Sequence, residues 1–335
     1  MKRIVCFGLM LCVLLLGFAY AEGNSTCVCL TEFLPETVPD LICSTYKIDA
    51  SAAMDVLMKA PYLTVDTKGH YKGTGWLNDD EEMAIGLEYV TYETRLGRNL
   101  ANLVEGLPPS FTEWNGGAAN DLSFGGVDKI AALATDVLNR LNLHVELIHA
   151  LAYDEAALRA AIPSALNSVD ARKIEECYAL FFCCAENGLR IPANGYHSDM
   201  HGTDMHGSKI MTLWTKDGLQ FLSTSGLYHI DERVENGERL LSPEEALSIV
   251  QDDYAMYVAS IAHPRLIGVN ISHQRLVYAK VPISGVDPES GCRLTPAWLF
   301  TQDQQWNVSM EAGGYEVGHF YSDLVLIDAR TGEEL

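Results

Sequence analysis

The sequence predicts an α+β protein in which helix-plus-antiparallel-sheet modules follow an N-terminal α/β region. Three observations predict it. Apolar residues at Val127, Ile130, Leu133, Ala134, Val137, Leu138 and Leu141 recur three and four apart, which makes one helical face apolar. Strand-like runs then alternate with tight turns at Glu186-Asn187-Gly188 and Lys216-Asp217-Gly218, the pattern of hairpins. A further helix start at Ser242 is followed by three more strand-like runs. A helix followed by antiparallel strands buries one face of the sheet under the helix.

Along the chain, residues 1–21 read as a secretory signal peptide. Lys2 and Arg3 form the positive start, Ile4 to Phe18 is the apolar run, and Ala19-Tyr20-Ala21 offers the small residues of a cleavage site. The fifteen residues of that run fall short of the roughly 20 needed to span a bilayer. A lipid anchor on Cys27 or Cys29 is the competing reading, but Asn24-Ser25-Thr26 is a poor approach to a lipidated cysteine. Secretion or an extracytoplasmic location, with or without surface anchoring by lipid, is therefore expected. After signal removal no apolar run reaches membrane-spanning length, so no membrane span is expected.

Cleavage after Ala21 removes two positive charges and no acid, taking the formal charge from −22 to −24. Phosphate binding needs clustered Lys and Arg, so nucleic acid is excluded as an expected partner. An anionic membrane surface is disfavoured for the same reason.

Residues 22–120 form an N-terminal region whose pattern fixes no fold. A strand running into a helix is expected over Ser44–Lys59, and a Tyr- and Val-rich strand over Leu87–Thr94. Turn formers at Leu107-Pro108-Pro109-Ser110 and Trp114 to Asn120 place a boundary there. The first helix-and-sheet unit, a degenerate one, spans 121–240: the helix at 127–141, a strand over Leu143–Leu151, a helix over Asp154–Ala161, and two hairpins. Within it, Tyr178 to Ala185 reads as a buried strand. The second unit spans 241–335. Ser242 caps its helix, Pro243 suits the first turn and Glu245 completes a capping box. Strands are expected at Gln274–Ile283, Arg293–Thr301 and Leu324–Asp328, the last as an inner strand closed by the turn Ala329 to Gly332.

The runs Ser242-Pro-Glu-Glu-Ala-Leu247, Leu276-Val-Tyr-Ala-Lys-Val281, Leu294-Thr-Pro-Ala-Trp-Leu-Phe300 and Leu324 to Glu334 resemble the PepSY-like modules of bacterial envelope proteins, including the YycH and YycI regulators of a cell-wall sensor kinase. The run from Tyr178 through Pro192 looks like the matching hairpin of an earlier copy. The chain also looks similar to secreted or lipid-anchored proteins of gut Firmicutes. The resemblance implies a binding or regulatory role without catalytic residues.

Nine cysteines are present, and seven, Cys27, Cys29, Cys43, Cys177, Cys183, Cys184 and Cys292, remain after cleavage. An odd number cannot all pair within one chain. Few disulfides are expected, because Cys183-Cys184 sits in the apolar strand, where cysteine behaves as a small hydrophobe.

The most distinctive run is Tyr196 to Gly207, which contains Asp-Met-His-Gly twice. His197, His201, His206, Met200 and Met205 are candidate ligands, since imidazole suits zinc and copper and thioether sulfur favours copper(I). A tandem duplication in a tolerant loop is the competing explanation. His144 and His149 lie five apart on one strand, hence on opposite faces. Asp79-Asp80-Glu81-Glu82 lacks the ligand spacing of a calcium loop and reads as a solvated turn. Ser223-Thr224-Ser225 near His229 lacks a third, orienting group. Trp214, Tyr228, Trp298 and Phe300 read as core or cross-strand aromatics.

The expected function is that of an exported, non-catalytic binding or regulatory protein acting on a protein or peptide partner in the cell envelope. A secreted copper- or zinc-binding protein using the 196–207 loop is the second reading. A hydrolase with its site in the N-terminal region is the third.

Overall fold

The computed structural model describes residues 27–31, 34–46, 48–59, 61, 63–67, 73–86, 89–105, 121–165, 169–192, 207–260, 265–287, 290–309 and 315–335. The signal-peptide residues lie outside this set. Strands in chain order are β1 (Val28–Cys29), β2 (Asp40–Thr45), β3 (Leu63–Thr67), β4 (Gly73–Leu77), β5 (Glu81–Gly86), β6 (Tyr89–Thr94), β7 (Val145–Tyr153), β8 (Cys177–Glu186), β9 (Leu189–Arg190) and β10 (Lys209–Thr215). They continue with β11 (Gly218–Ser225), β12 (Tyr228–Val234), β13 (Leu266–Pro282), β14 (Gly291–Ser309) and β15 (Tyr315–Asp328). The helices are α1 (Ala50–Leu57), α2 (Arg95–Glu105), α3 (Val127–Arg140), α4 (Glu155–Ala161) and α5 (Pro243–Ser260).

The expected α+β architecture of helix-plus-sheet modules is overturned: strand makes up 48% of the structure and helix 22%, so the fold is β-rich with mixed pairing. The physical reason lies in strand length. β13, β14 and β15 run 17, 19 and 14 residues, far beyond the five or six typical of a strand. The sheet thereby outweighs the single helix α5 beside it in sequence. The N-terminal region holds strands β1 to β6 together with helices α1 and α2, and β3 to β6 pair antiparallel in sequence order.

The chain divides into two compact units. Unit 2 comprises Leu41–Val234 and Lys280–Leu294, so the boundary expected near residue 120 falls inside it. Its main sheet is antiparallel throughout, in the order β7, β8, β10, β11, β6, β5, β4, β3. β8 is its spine, with eight of ten residues buried. Alternation explains why the whole strand is apolar. Cys177, Ala179 and Phe181 face a cluster with Leu100, Leu103 and Val104 of α2 and Leu158 of α4. On the opposite parity the Tyr178 hydroxyl donates to Gly125 O at 2.7 Å and accepts from Leu122 N at 2.7 Å, tying down the loop that enters α3. A strand covered on both faces loses the polar half of the usual alternation. The hairpin after β8 has positive φ at both Asn187 (53°) and Gly188 (75°), the geometry of the two-residue turn that matches strand twist.

Unit 1 comprises residues up to Asp40, Glu235–Ala279 and Thr295–Leu335. β1 pairs in parallel with β13 at His273 and Gln274. β13 neighbours β14, and β14 pairs antiparallel with β15 from Ala297↔Asp328 to Ser309↔Tyr315, with a bulge at Phe300/Thr301. Among the described residues β15 pairs with β14 alone, which corrects the expectation of an inner strand. The capping box at the start of α5 is present: Glu245 N donates to Ser242 Oγ at 3.2 Å and Ser242 N to Glu245 Oε2 at 2.7 Å. Trp298 is fully buried and its Nε1 donates to Leu241 O at 3.1 Å. Among the described residues no helix is long and apolar enough to cross a membrane.

Candidate functional site

The five candidate metal ligands, His197, His201, His206, Met200 and Met205, all lie outside the described residues. Among the described residues no group of three or more His, Cys, Asp or Glu is placed to hold a metal ion. The Asp79–Glu82 run is described, and it departs from the expected solvated turn. Glu81 is buried and its carboxylate accepts from the Tyr92 hydroxyl at 2.8 Å, from Asn78 Nδ2 at 3.1 Å and from Lys59 N at 3.1 Å. Burial, then the neighbouring Glu81 oxygen, pushes the Tyr92 phenol up and holds it protonated. The hydroxyl of Thr224 donates to Val90 O and accepts from Val90 N, so it holds β11 against β6. His229 is 61% exposed and lies 4.0 Å from Asp231. Trp214, Trp298 and Phe300 are buried, as core aromatics should be.

Two features of unit 2 carry chemistry. The first is the edge formed by β7. It pairs antiparallel with β8, from Val145↔Cys184 to Tyr153↔Cys177, and among the described residues with no other strand. All nine of its residues are half-buried, in contrast to β8. Ile148 is the extra residue of a bulge between Leu147 and His149. The bulge overrides simple alternation, so spacing alone does not assign faces to the histidines. His144 lies just before the strand, 73% exposed and 3.6 Å from Glu186. The ring of His149 stacks on Phe181 at 6.4 Å, and its Nδ1 is buried without a hydrogen-bond partner. Burial holds the His149 imidazole below its ordinary range, hence neutral near pH 7. At the start of the strand, Arg190 Nε donates to Glu146 Oε1 at 2.6 Å.

The second feature is a cluster of thiols around a phenol. Tyr228, on β12, has a buried hydroxyl and feels the thiols of Cys184, Cys43, Cys183 and Cys292. Burial raises the Tyr228 phenol well above its ordinary range, ahead of those thiols. Burial also pushes Cys184 up to about 11, while Ser208 and Tyr228 pull the other way. Cys43 and Cys292 are directly opposed across β2 and β14, and their side chains interact. The sequence signalled this cluster only as a set of cysteines; their convergence depends on long-range register.

The sequence matches no family model and no curated protein. The fold is similar to that of an uncharacterized protein from Eubacterium rectale ATCC 33656, with 16% identity and a TM-score of 0.67 over 92% of this chain and 88% of that one. At that identity the likeness shows a shared fold.

Proposed function

We propose that this is an exported binding or regulatory protein that takes an extended segment of a protein or peptide partner of the cell envelope along the open edge of β7. The observation that carries the reading is the edge itself: nine residues, Val-Glu-Leu-Ile-His-Ala-Leu-Ala-Tyr, half-buried throughout and paired on one side among the described residues. A long, apolar edge without Pro or Gly presents unpaired N–H and C=O groups and is a ready template for another strand. Strand addition to such an edge derives affinity from main-chain hydrogen bonds and specificity from alternate side chains.

Export is supported by the Lys2-Arg3 start, the apolar run and Ala19-Tyr20-Ala21. The formal charge, −22 for the full chain and more negative once Lys2 and Arg3 are removed, favours a neutral or basic segment over an acidic one. The test compares capture from envelope extract by the protein and by Ile148→Lys, which sets an ammonium in the middle of the edge. Chelator is present throughout, so a metal-mediated interaction is removed. The reading requires one protein retained by the parent and lost, by at least about tenfold, with Ile148→Lys. Equal capture by both would contradict it.

A further inference from the structure

We infer that Cys43 and Cys292 form a disulfide in the oxidised protein, a covalent staple across two strands of unit 2. The antiparallel register pairs Cys292 directly with Cys43, between Gly291↔Ser44 and Arg293↔Ile42. Directly opposed residues in an antiparallel pair have Cα atoms about 4.5 or about 5.5 Å apart, depending on which kind of pair they form. Both values fall inside the roughly 4.4–6.8 Å that a disulfide spans. The Cβ atoms, about 4.5–5.5 Å apart in such pairs, need only close to about 4 Å. The strands are close here: a Cβ built at Gly291 would lie 3.0 Å from Cys43 O.

The other strand cysteines lack a thiol opposite them. Cys183 faces Glu146, Cys184 faces Val145, Cys177 faces Tyr153 and Cys29 faces Gln274. Register therefore selects one pair among the six cysteines that lie on strands.

Oxidation takes two exchanges. A thiolate of the pair attacks a disulfide oxidant R′–S–S–R′, forming a mixed disulfide and releasing R′SH after protonation. The second thiol, deprotonated, then attacks the protein sulfur of that mixed disulfide and expels the second R′SH. Two protein thiols are oxidised and one disulfide is reduced to two thiols, so electrons and protons balance. Both residues are 2% exposed in the folded chain. Their mutual contact and burial raise the Cys43 thiol far above its ordinary range, which leaves little thiolate to react. The bond therefore forms during folding, before the pair is covered, and once covered it resists reductant.

The test is refolding of the reduced, denatured chain in a mixture of oxidised and reduced glutathione, then unfolding, alkylation and non-reducing peptide mapping by mass spectrometry. The peptide carrying Cys43 should be recovered linked to the one carrying Cys292, with Cys177, Cys183 and Cys184 alkylated. The staple closes a loop of about 250 residues, so the oxidised protein should melt about 5–10 °C above the reduced one. That gap should vanish in Cys43→Ala, in Cys292→Ala and in the double variant. Recovery of Cys43 and Cys292 both alkylated, or of either joined to another cysteine, overturns the inference. So does a redox-dependent melting temperature that persists in the double variant. The peptide map is made on the parent chain, so the test survives a variant that fails to fold.

Discussion

Arg330 and Asp40 form a buried ion pair at 2.9 Å, with side chains 6% and 9% exposed. The pair pins the turn after β15 to the first residue of β2. Arg330 Nη2 also donates to Val38 O at 2.8 Å, and Asp40 accepts from Thr295 Oγ1 at 3.2 Å and Asn236 Nδ2 at 3.0 Å. Removing one partner leaves the other charge buried, which costs about 3–5 kcal/mol, far more than an exposed pair is worth. Arg330→Ala should lower the unfolding free energy by about that amount in denaturant titration. Arg330→Lys should recover part of it, because one ammonium cannot repeat the forked contact to Asp40 and Val38.

At Gly97 two tendencies oppose each other, and their sizes decide the sign. Glycine inside a helix is usually about 1 kcal/mol worse than alanine. Here a Cβ would collide with the backbone carbonyl of Gln220 on β11, against which α2 packs. Backbone cannot swing aside as a flexible side chain can, and overpacking costs about 1–3 kcal/mol. Gly97→Ala should therefore lower the melting temperature, whereas a propensity argument alone gives a rise.

His149 makes stability pH-dependent. Burial depresses its folded pKa below the unfolded value of about 6.5. Between those two values the unfolded chain binds more protons than the folded one, so stability is full above pH 6.5 and falls as pH drops toward the folded pKa. His273 is depressed as well, by burial first and then by Arg275, against the opposing pull of Asp303. Melting temperatures at about pH 7.5 and about pH 5.5 should differ. His149→Gln should shrink that difference, and an unchanged difference would assign the effect elsewhere.

Periodicity and local chemistry make α3, β8, the hairpin at Asn187-Gly188 and the capping box at Ser242 legible in the sequence. Each depends on neighbours within a turn or a strand. Strands β3, β4 and β5 were not legible, because Gly73-Thr-Gly-Trp-Leu77 lacks apolar alternation and Glu81-Glu82 reads as solvated. Glu81 is buried through Tyr92, eleven residues away on the paired strand β6, and no local rule places that partner. The same limit explains the α+β expectation. Short apolar cores such as Leu324–Asp328 were visible, while their polar extensions, Gln302 to Ser309 among them, gave no sign that pairing continues to Tyr315. At the edge of β7 the run of apolar residues was readable, but its openness on one side depends on which strands pair with β8.

Amide hydrogen exchange along β7, measured with and without the captured partner, bears most directly on the proposed binding role. Strand addition satisfies the outward N–H groups of Val145 to Tyr153, so their exchange should slow on binding, while β8 amides, already paired and covered, should change little. Unchanged exchange across β7, with protection appearing on another surface when the partner binds, would contradict the assignment of this edge as the binding site.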